Sequence, residues 1–475
     1  MLQEKRGVRE MANEHCAAFR DSLTKQIGVI IADLKRLSEE DLFDLPPVAR
    51  REQKPGLIVF PSSSPTLEYG LVGENLAEFH KLVYKVVNKR WWHNKLSWKY
   101  VYNTLRDVIR EVLQSRPEGD LVLSEQDIEL VRDRMDNVLQ QFRQEASQEW
   151  TVFTPLVGIQ ISSAGASVHI GKAELIPVND ELRGKLRNKV SSILSSIRNV
   201  PKSEDELAQE AEHFLVGFDL QSTTACAVCK VRGEENKASQ IAEEETTNVL
   251  DLLRYYAYNY EIGREMAIGL QGEMISGHRS ALLLSTSDRG VVTYLRRTGA
   301  LHSLWFPPKN ETVLRKIGFF EASEIIKKNQ RSEIEQAILD GLHWFAISQV
   351  QTKEEIELVC LTMCLENFLT FGKRIAEAIS EGCALLLESD LESRKQLKKQ
   401  VVQIYDCRSE IVHGGFVQRS VSRSKTDYCS QLESHLIDLR AIANEVIMTL
   451  IKRNSEFRTR DELRSWIEDQ KLSPC

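Results

Sequence analysis

The sequence lacks the segments that place a protein in or across a membrane. It contains no apolar run of about 18 residues, which a transmembrane helix requires. Its first residues are charged throughout and have no apolar signal-peptide stretch. Its 9 cysteines are scattered and odd in number, as expected of reduced thiols. We therefore expect a soluble, cytoplasmic protein without membrane contact.

Fingerprints of common enzyme classes are also missing. The sequence contains no GxGxxG, no phosphate-binding GxxxxGKS or GxxxxGKT, and no GxSxG. Cys226 and Cys229 form a lone CxxC in a predicted strand, where residues three apart point to opposite faces. No second CxxC or HxxxH completes a zinc site. The residues predict neither a metal site nor a cofactor, and they disfavour a metal hydrolase.

The charge balance excludes a broadly basic surface. The net charge is −7, with 42% hydrophobic and 28% charged residues over 475 positions. This composition is typical of a soluble globular protein with room for two or three domains. A general nucleic-acid binder is usually basic, so any RNA contact must be a local patch.

Hydrophobic periodicity predicts an α-rich α+β protein in three parts. Residues 1–149 are mostly helical, with helices at 8–41, 74–114 and 124–148 and a proline-rich connecting loop at 42–72. Residues 150–310 are mixed α/β, an antiparallel sheet with helices on one face that could act as a sensor. Residues 311–475 form a helical bundle. Its helices are predicted at 311–328, 332–350, 353–388, 390–413, 427–453 and 459–470.

The local predictions in the middle part are more specific. Two or three strands should follow Trp150, with a turn at 163–165, and a helix should cover 182–197. A strand is predicted near Cys226, followed by a helix over 237–258. The segments at 281–287 and 290–297 should form a hairpin or a pair of edge strands.

An arginine and a histidine at the end of the 390–413 helix carry the strongest chemical signal. Arg408 lies five residues before His413, and two glycines follow. An arginine can clamp a phosphate, and a histidine can transfer a proton near neutral pH. Arg408 falls about 40° from Ile404 on the helical wheel, within an apolar stripe. A guanidinium there needs a carboxylate or a functional cavity, and Glu366, on a predicted apolar helix, is the candidate partner.

The direction of His413 is harder to predict. On a straight helix it would point about 140° away from Arg408. The helix could unwind before Gly414, or two copies of the chain could pool their residues about a two-fold axis. The ordinary alternative is a histidine at a helix end beside an arginine paired with a core glutamate.

The run YDCRSEIVHGG resembles the R-x4-6-H signature of HEPN domains, and most closely the ApeA-like group. Upstream, AILDGLHWF and LVCLTMCLENFL are similar to the first two helices of that group. The resemblance covers the last third of the chain. It implies an all-α bundle, commonly dimeric, that often acts as a metal-independent endoribonuclease in defence or toxin systems. Some HEPN domains only bind RNA or serve as assembly modules.

The resemblance also bears on single residues. HEPN enzymes often carry a small polar residue after the arginine, where Ser409 stands, although an exposed helix serine is equally ordinary. A related branch has a modifiable tyrosine two residues after the histidine, and Gly415 occupies that place here.

Basic residues near the motif are candidates for contacts with an RNA backbone. Arg419, Arg423 and Lys425 lie in a loop that has no acid between Glu410 and Asp427, and Lys373 follows the Glu366 helix. The ordinary alternative is solvated charge. A second basic segment, Lys85–Tyr100, interleaves tryptophans with lysines, a pattern that can hold single-stranded RNA. Tryptophans on a helix are more often anchors in a core or an interface, so packing against a partner or another domain is the favoured interpretation.

The sequence thus predicts a metal-independent endoribonuclease that leaves 2′,3′-cyclic phosphate ends. His413 would move the proton as general acid or base, Arg408 would stabilise the phosphorane, and Ser409 and Glu366 would support them. Expected partners are RNA, a second copy of the chain in a homodimer or larger even-numbered assembly, and a phage or protein trigger. The alternative is a non-catalytic module for RNA binding or protein assembly.

Overall fold

The computed structural model describes most of the chain, and helices dominate the described residues. These are residues 2–37, 57–61, 68–115, 123–161, 167–197, 205–206, 208–209, 224–260, 268–270, 279–284, 291–296, 303–308, 310–351, 353–370, 374–413 and 425–472. The sheets are small, so the predicted α-rich class is confirmed at this coarse level. None of the described helices combines the length and apolar character that a membrane span needs.

The chain divides into two compact units. The first comprises Met1–Val152 and Lys230–Ala242, and the second comprises Phe153–Cys229 and Glu243–Cys475. Nearly all of the predicted mixed α/β region and the whole predicted C-terminal bundle therefore lie in the second unit.

The first unit contains four complete helices, the start of a fifth and a small sheet among its described residues. The complete elements are α1 (Leu2–Ala32), β1 (Lys35–Leu37), β2 (Leu57–Pro61), β3 (Glu68–Val72), α2 (Gly73–Val87), α3 (Trp98–Gln114) and α4 (Glu125–Ser147). The sheet has the order β1-β3-β2, and both pairings are antiparallel.

This sheet corrects two predictions. The helix predicted over 8–41 ends at Ala32, because the chain turns into β1 to pair with β3. The loop predicted over 42–72 contains β2 and β3, which pair from Leu57 opposite Val72 to Pro61 opposite Glu68. The prolines obscured the apolar run in β2. Pro61 is tolerated because it ends an edge strand, where a missing N–H costs little.

The helix predicted over 74–114 is in fact two helices. α2 ends at Val87, and Asn94 adopts a left-handed conformation with φ 59°, which interrupts a helix. Ser97 then caps α3, because its side chain accepts a hydrogen bond from the backbone N–H of Tyr100. The third predicted helix agrees with α4, and the capping box formed by Ser124 and Asp127 is present.

Aromatic side chains of the segment between α2 and α3 build part of the first unit's core. Trp92 is 1% exposed, and its indole N–H donates to the carbonyl of Val86. Its ring meets Phe142 edge-on, with centroids 5.7 Å apart, and Trp91 meets Phe19 at the same distance. The packing interpretation of this segment therefore holds for Trp91 and Trp92.

The second unit begins with a sheet region in its described residues. The elements that enter it are β4 (Glu149–Val157), β5 (Ile159–Ile161), β6 (Val168–Ile170), β7 (Ala173–Pro177), α5 (Asp180–Ile197), β8 (Ala225–Arg232), α6 (Glu235–Asn259), β9 (Gly269–Leu270), β10 (Arg279–Leu284), β11 (Val291–Arg296) and β12 (Leu304–Phe306). The main sheet has the order β6-β7-β8-β4-β9. β7 is antiparallel to β6 and β8, and β4 is antiparallel to β9.

Most of the strand and helix predictions here are confirmed. α5, β8 and α6 lie where the pattern placed them, and β10 and β11 form the antiparallel pair. The segment after Trp150 forms four strands rather than two or three, and the turn predicted at 163–165 lies outside the described residues. A separate parallel pair joins β12 to β5, a pairing between residues about 145 positions apart that no local pattern indicates.

Helices follow to the end of the described chain. They are α7 (Thr312–Lys316), α8 (Phe319–Lys327), α9 (Glu333–Gln349), α10 (Glu354–Leu369), α11 (Ile375–Leu387), α12 (Leu391–Val412), α13 (Lys425–Lys452) and α14 (Arg460–Leu472). Two predicted helices are each split. Gly318, with φ 74°, separates α7 from α8, and Thr370, with ψ 101°, ends α10.

Helix α10 is the centre of this bundle. It packs against α9, α11, α12 and α13. Leu361 and Phe368 are fully buried, as the apolar pattern requires. Gly341 of α9 permits the close approach, because a Cβ atom there would lie 2.1 Å from the Cζ atom of Phe368. The position of α10 decides where Glu366 can reach.

Candidate functional site

The site predicted at the end of α12 begins with a well-defined helix. Asp390 caps its first turn by accepting hydrogen bonds from the backbone N–H groups of Glu392 and Ser393, at 3.1 and 2.9 Å. Val401 and Ile404 are fully buried along the predicted stripe. The stripe therefore fixes the rotation of α12, and with it the side of the helix on which each motif residue lies.

Arg408 lies on the bundle side of α12, as its place in the stripe predicts. Its side chain is 27% exposed, and Nη2 lies 3.5 Å from Oε1 of Glu366, whose side chain is 24% exposed. Close charge-assisted hydrogen bonds are shorter, near 2.8 Å, so the ion pair is loose. The buried Nε atom has no hydrogen-bond partner among the described residues. The Nε donor is thus left unused inside the bundle.

Tyr405 joins α12 to α10 one turn before Arg408. Its hydroxyl donates to the backbone carbonyl of Thr362, with an O–O distance of 3.2 Å. Burial raises the pKa of Tyr405, and the nearby charge of Glu366 raises it further, while that of Arg408 lowers it. The phenol therefore stays neutral and fixes the spacing of the two helices beside the Arg408–Glu366 pair. Sequence reasoning did not single out this tyrosine.

His413 lies on the solvent side. It is the C-cap of α12, with φ −89° and ψ 13°, and its backbone N–H donates to the carbonyl of Ser409 at 3.0 Å. The side chains of His413 and Ser409 are both exposed. Arg408 faces the bundle while His413 faces solvent, so their separation around the helical axis persists. The predicted unwinding that would re-aim His413 is therefore wrong as far as the described chain goes, because the helical hydrogen bond to Ser409 is kept up to His413. Gly414 and Gly415 lie outside the described residues.

The predicted backbone-binding residues fall mostly outside the described chain. Lys373, Arg419 and Arg423 are not described, and Lys425 is placed only as the first residue of α13. Arg374, which follows Lys373, is 85% exposed on its side chain and bonds to Glu377 at 3.2 Å. The nucleic-acid contacts of this region stay predictions.

A second carboxylate of α10 forms an ion pair that sequence reasoning missed. Glu357 receives a hydrogen bond from Nε of Arg440 on α13, and both residues are buried, at 6% and 4% exposure. Glu357 and Glu366 are nine residues apart and so point about 180° apart on the helix. Each therefore reaches a different arginine on a different neighbouring helix. A glutamate within an apolar run was the only available signal.

An aspartate and a histidine form a further polar contact in the second unit. Nδ1 of His343 on α9 lies 2.8 Å from Oδ2 of Asp251 on α6. The Asp251 side chain is 3% exposed, whereas the His343 side chain is 43% exposed. The hydrogen bond to Asp251 raises the pKa of His343, although burial opposes it. The two residues are 92 positions apart, so no local pattern could pair them.

Five of the cysteines whose side chains the structure describes are buried in the sheet and the bundle, and Cys407 is half-buried. Burial raises the pKa of Cys226 to about 12, and it also raises that of Cys229, so neither thiol ionises near neutral pH. Cys360 and Cys364 are core residues of α10, 5% and 0% exposed. Among the residues that the structure describes, no group of three or more His, Cys, Asp or Glu side chains is arranged to hold a metal ion.

Comparison with known proteins gives no match. No family model, no curated protein and no solved structure matches the chain. The HEPN resemblance therefore rests on the motif and the two upstream segments, and it stays a prediction.

Proposed function

We propose that the chain is a metal-independent endoribonuclease of the HEPN type, acting in defence or as a toxin, with Arg408 and His413 as its catalytic pair. The observation that carries the proposal is the state of Arg408. A guanidinium sits in the helical seam five residues before a solvent-facing histidine, loosely held by Glu366 and with Nε unpaired among the described residues. An arginine that only stabilised the bundle would be expected to use its donors more fully.

The proposed reaction needs only these groups and the RNA. The 2′-hydroxyl attacks the adjacent phosphorus, the bond to the 5′-oxygen breaks, and a 2′,3′-cyclic phosphate and a 5′-hydroxyl result. His413 takes the proton from the 2′-hydroxyl or gives one to the leaving oxygen. Arg408 stabilises the negative charge that builds on the phosphorane. Glu366 is a positioning residue that limits the rotamers of Arg408.

The opposite directions of Arg408 and His413 favour a composite site. In a two-fold assembly, one protomer can supply the arginine and the other the histidine, with α12 of each facing the axis. Val412 is 48% exposed next to His413, which gives such an interface an apolar contact. We therefore propose a homodimer or a larger even-numbered assembly as the active form.

A second candidate, a non-catalytic module for RNA binding or protein assembly, is favoured by the same ion pair. Glu366 already compensates the charge of Arg408. If that compensation is the arginine's only role, RNA is bound without being cut.

Cleavage of labelled tRNA and mRNA by matched variants separates the two candidates. Arg408→Ala and His413→Ala should each abolish cleavage while leaving the circular dichroism spectrum unchanged. Arg394→Ala is the control for the first, because Arg394 is also a half-buried arginine of α12. His169→Ala is the control for the second, because His169 is an exposed histidine of β6. Wild-type activity in the folded His413→Ala protein would rule out the catalytic assignment. Binding without cleavage by the unmodified protein would favour the second candidate.

A further inference from the structure

A cavity in the first unit lies apart from the proposed ribonuclease residues. It has a volume of about 580 Å³, within the range of roughly 300–1,000 Å³ typical of small-molecule sites. The first turns of α3 and α6 and the turn before α3 surround it. The polar and aromatic residues that line it are Asn94, Ser97, Trp98, Lys99, Asn236, Lys237 and Gln240.

The charge of this lining is one-sided. Lys99 is exposed and Lys237 is half-buried, and none of the described residues that line the cavity is acidic. The whole chain carries a net charge of −7. A cavity lined by two lysines and no acid is therefore more basic than the chain as a whole. Two positive groups at one cavity are suited to a phosphate rather than to a neutral ligand.

The walls are held by a buried carboxylate. Glu234 is 3% exposed and accepts hydrogen bonds from the backbone N–H groups of Ser97, Asn236 and Lys237, at 3.2, 3.0 and 3.2 Å. Burial would raise the pKa of Glu234, but the hydrogen bonds from Ser97 and Asn236 lower it. The negative charge of Glu234 is therefore compensated by these N–H donors. Because the donors belong to both α3 and α6, Glu234 also connects the first turns of the two helices.

The backbone at Gly233 and Glu234 also lies close to that of Lys95, beside the cavity. Gly233 has φ 156°, and a Cβ atom there would lie 2.8 Å from the carbonyl oxygen of Lys95. The backbone N–H of Glu234 donates to that carbonyl at 2.7 Å. These contacts hold the cavity in shape before a ligand binds, which lowers the cost in conformational entropy of ordering the protein around the ligand.

Trp98 supplies an aromatic plane at the cavity. Tyr102 stacks against it, with centroids 4.7 Å apart and an angle of 24° between the rings. The ring of His80 meets it edge-on at 5.4 Å. Unlike the buried Trp92, Trp98 is only partly buried, so part of its surface is left for a ligand. Side-chain amides of Asn94 and Gln240 also line the cavity and offer both donors and acceptors, while the amide of Asn236 donates to Glu234 at 2.7 Å.

We propose that this cavity binds a nucleotide unit, with the phosphate between Lys99 and Lys237 and the base beside Trp98. Side-chain amides recognise the edges of the base, and the indole supplies an aromatic surface. The source of the unit is either a free mononucleotide or the 5′-phosphorylated end of a single-stranded RNA. None of the residues proposed for RNA cleavage lines the cavity, so this inference does not rest on the ribonuclease activity.

Calorimetric titration of the full chain with AMP, adenosine and inorganic phosphate tests the proposal. AMP should bind with a dissociation constant below about 1 mM. It should bind about tenfold or more tightly than adenosine or phosphate alone, since each of these retains only half of the contacts. The double variant Lys99→Gln/Lys237→Gln and the single variant Trp98→Phe should each weaken AMP binding, the former by about tenfold or more. Lys81→Gln is the control, since Lys81 is an exposed lysine of α2 outside the cavity and should leave binding unchanged.

A short RNA of about five nucleotides, with and without a 5′-phosphate, identifies the source. It is titrated against the His413→Ala protein so that cleavage cannot obscure binding. Tighter binding of the 5′-phosphorylated RNA than of AMP assigns the site to an RNA end, and equal or weaker binding assigns it to a free nucleotide. Absence of binding by both AMP and RNA would overturn the proposal. So would binding that the double lysine variant leaves unchanged, or phosphate alone binding as tightly as AMP. Each of these readings is independent of whether the wild-type chain cleaves RNA.

Discussion

Substituting the two glutamates of α10 one at a time separates a structural ion pair from a functional one. Glu357 and Glu366 lie on the same helix, and each faces an arginine of a neighbouring helix. Changing either to glutamine removes one negative charge and preserves the size of the side chain. The two variants are therefore matched in chemistry and differ mainly in burial.

The structure gives the expected magnitudes. Glu357→Gln leaves the guanidinium of Arg440, whose side chain is 4% exposed, without its countercharge. Stranding a buried charge in this way costs about 3–5 kcal/mol of unfolding free energy. The Glu366–Arg408 pair is about a quarter exposed on both sides and spans 3.5 Å. Pairs of that kind contribute about 0–1 kcal/mol, so Glu366→Gln should change stability little.

Urea unfolding followed by far-ultraviolet circular dichroism measures both changes, with the m-value checked for constancy. RNA cleavage measured on the same samples adds the functional reading. Glu366→Gln should lower the rate while the midpoint stays near that of the wild type, because Arg408 loses its positioning contact. Equal destabilisation by the two variants would mean that Glu366 serves the bundle alone. A change below about 1 kcal/mol in Glu357→Gln would refute the burial argument itself.

Three further predictions concern packing, pH and assembly. Gly341→Ala should cost about 1–3 kcal/mol in thermal unfolding, because its Cβ atom would overlap the ring of Phe368, and adding Phe368→Leu should recover part of the loss. No loss in the single variant would contradict the contact. The raised pKa of His343 means that its bond to Asp251 stabilises fully below pH about 6.5 and progressively less as pH rises through the folded-state pKa. The stability lost in His343→Gln should therefore shrink with rising pH, and a loss that grows would contradict the pairing. Mixing the two inactive variants of the catalytic pair should restore partial cleavage if the site is composite. Full activity in a protein shown to be a monomer by light scattering would exclude that arrangement.

The spacing of apolar residues predicted the helices of the bundle because each helix depends on residues that are close together in the sequence. The buried stripe through Val401 and Ile404 fixed the rotation of α12. That rotation placed Arg408 toward α10 and led to the contact with Glu366 that the structure contains. This ion pair was predictable because Glu366 and Arg408 each lie within an apolar stretch of their helix, where a charged side chain needs a partner of opposite charge.

Features that depend on distant pairing were not predictable. β1 and β3 pair across about 30 residues that include many prolines, and the prolines outweighed the short apolar strand in the sequence pattern. The contact between Asp251 and His343 depends on how α6 and α9 pack, which no local spacing records. The split of the helix predicted over 353–388 follows from the extended conformation of Thr370, although threonine is compatible with a helix.

The cavity of the first unit was not predictable because the sequence pattern did not show that the helix predicted over 74–114 is interrupted. A continuous helix over 74–114 would contain no turn before Trp98. The actual break brings the start of α3 against the start of α6 through Glu234. The basic and aromatic residues that suggested RNA binding thereby separate into core residues, such as Trp92, and cavity residues, such as Trp98.

The most direct test of the ribonuclease account is the chemistry of the RNA ends that the full chain produces in excess EDTA. The account predicts that cleavage persists, that the products carry 2′,3′-cyclic phosphate and 5′-hydroxyl ends, and that the His413→Ala protein produces none of them. Strict dependence on added Mg²⁺ or Mn²⁺, products with 5′-phosphates, or undiminished cleavage by the His413→Ala protein would contradict it.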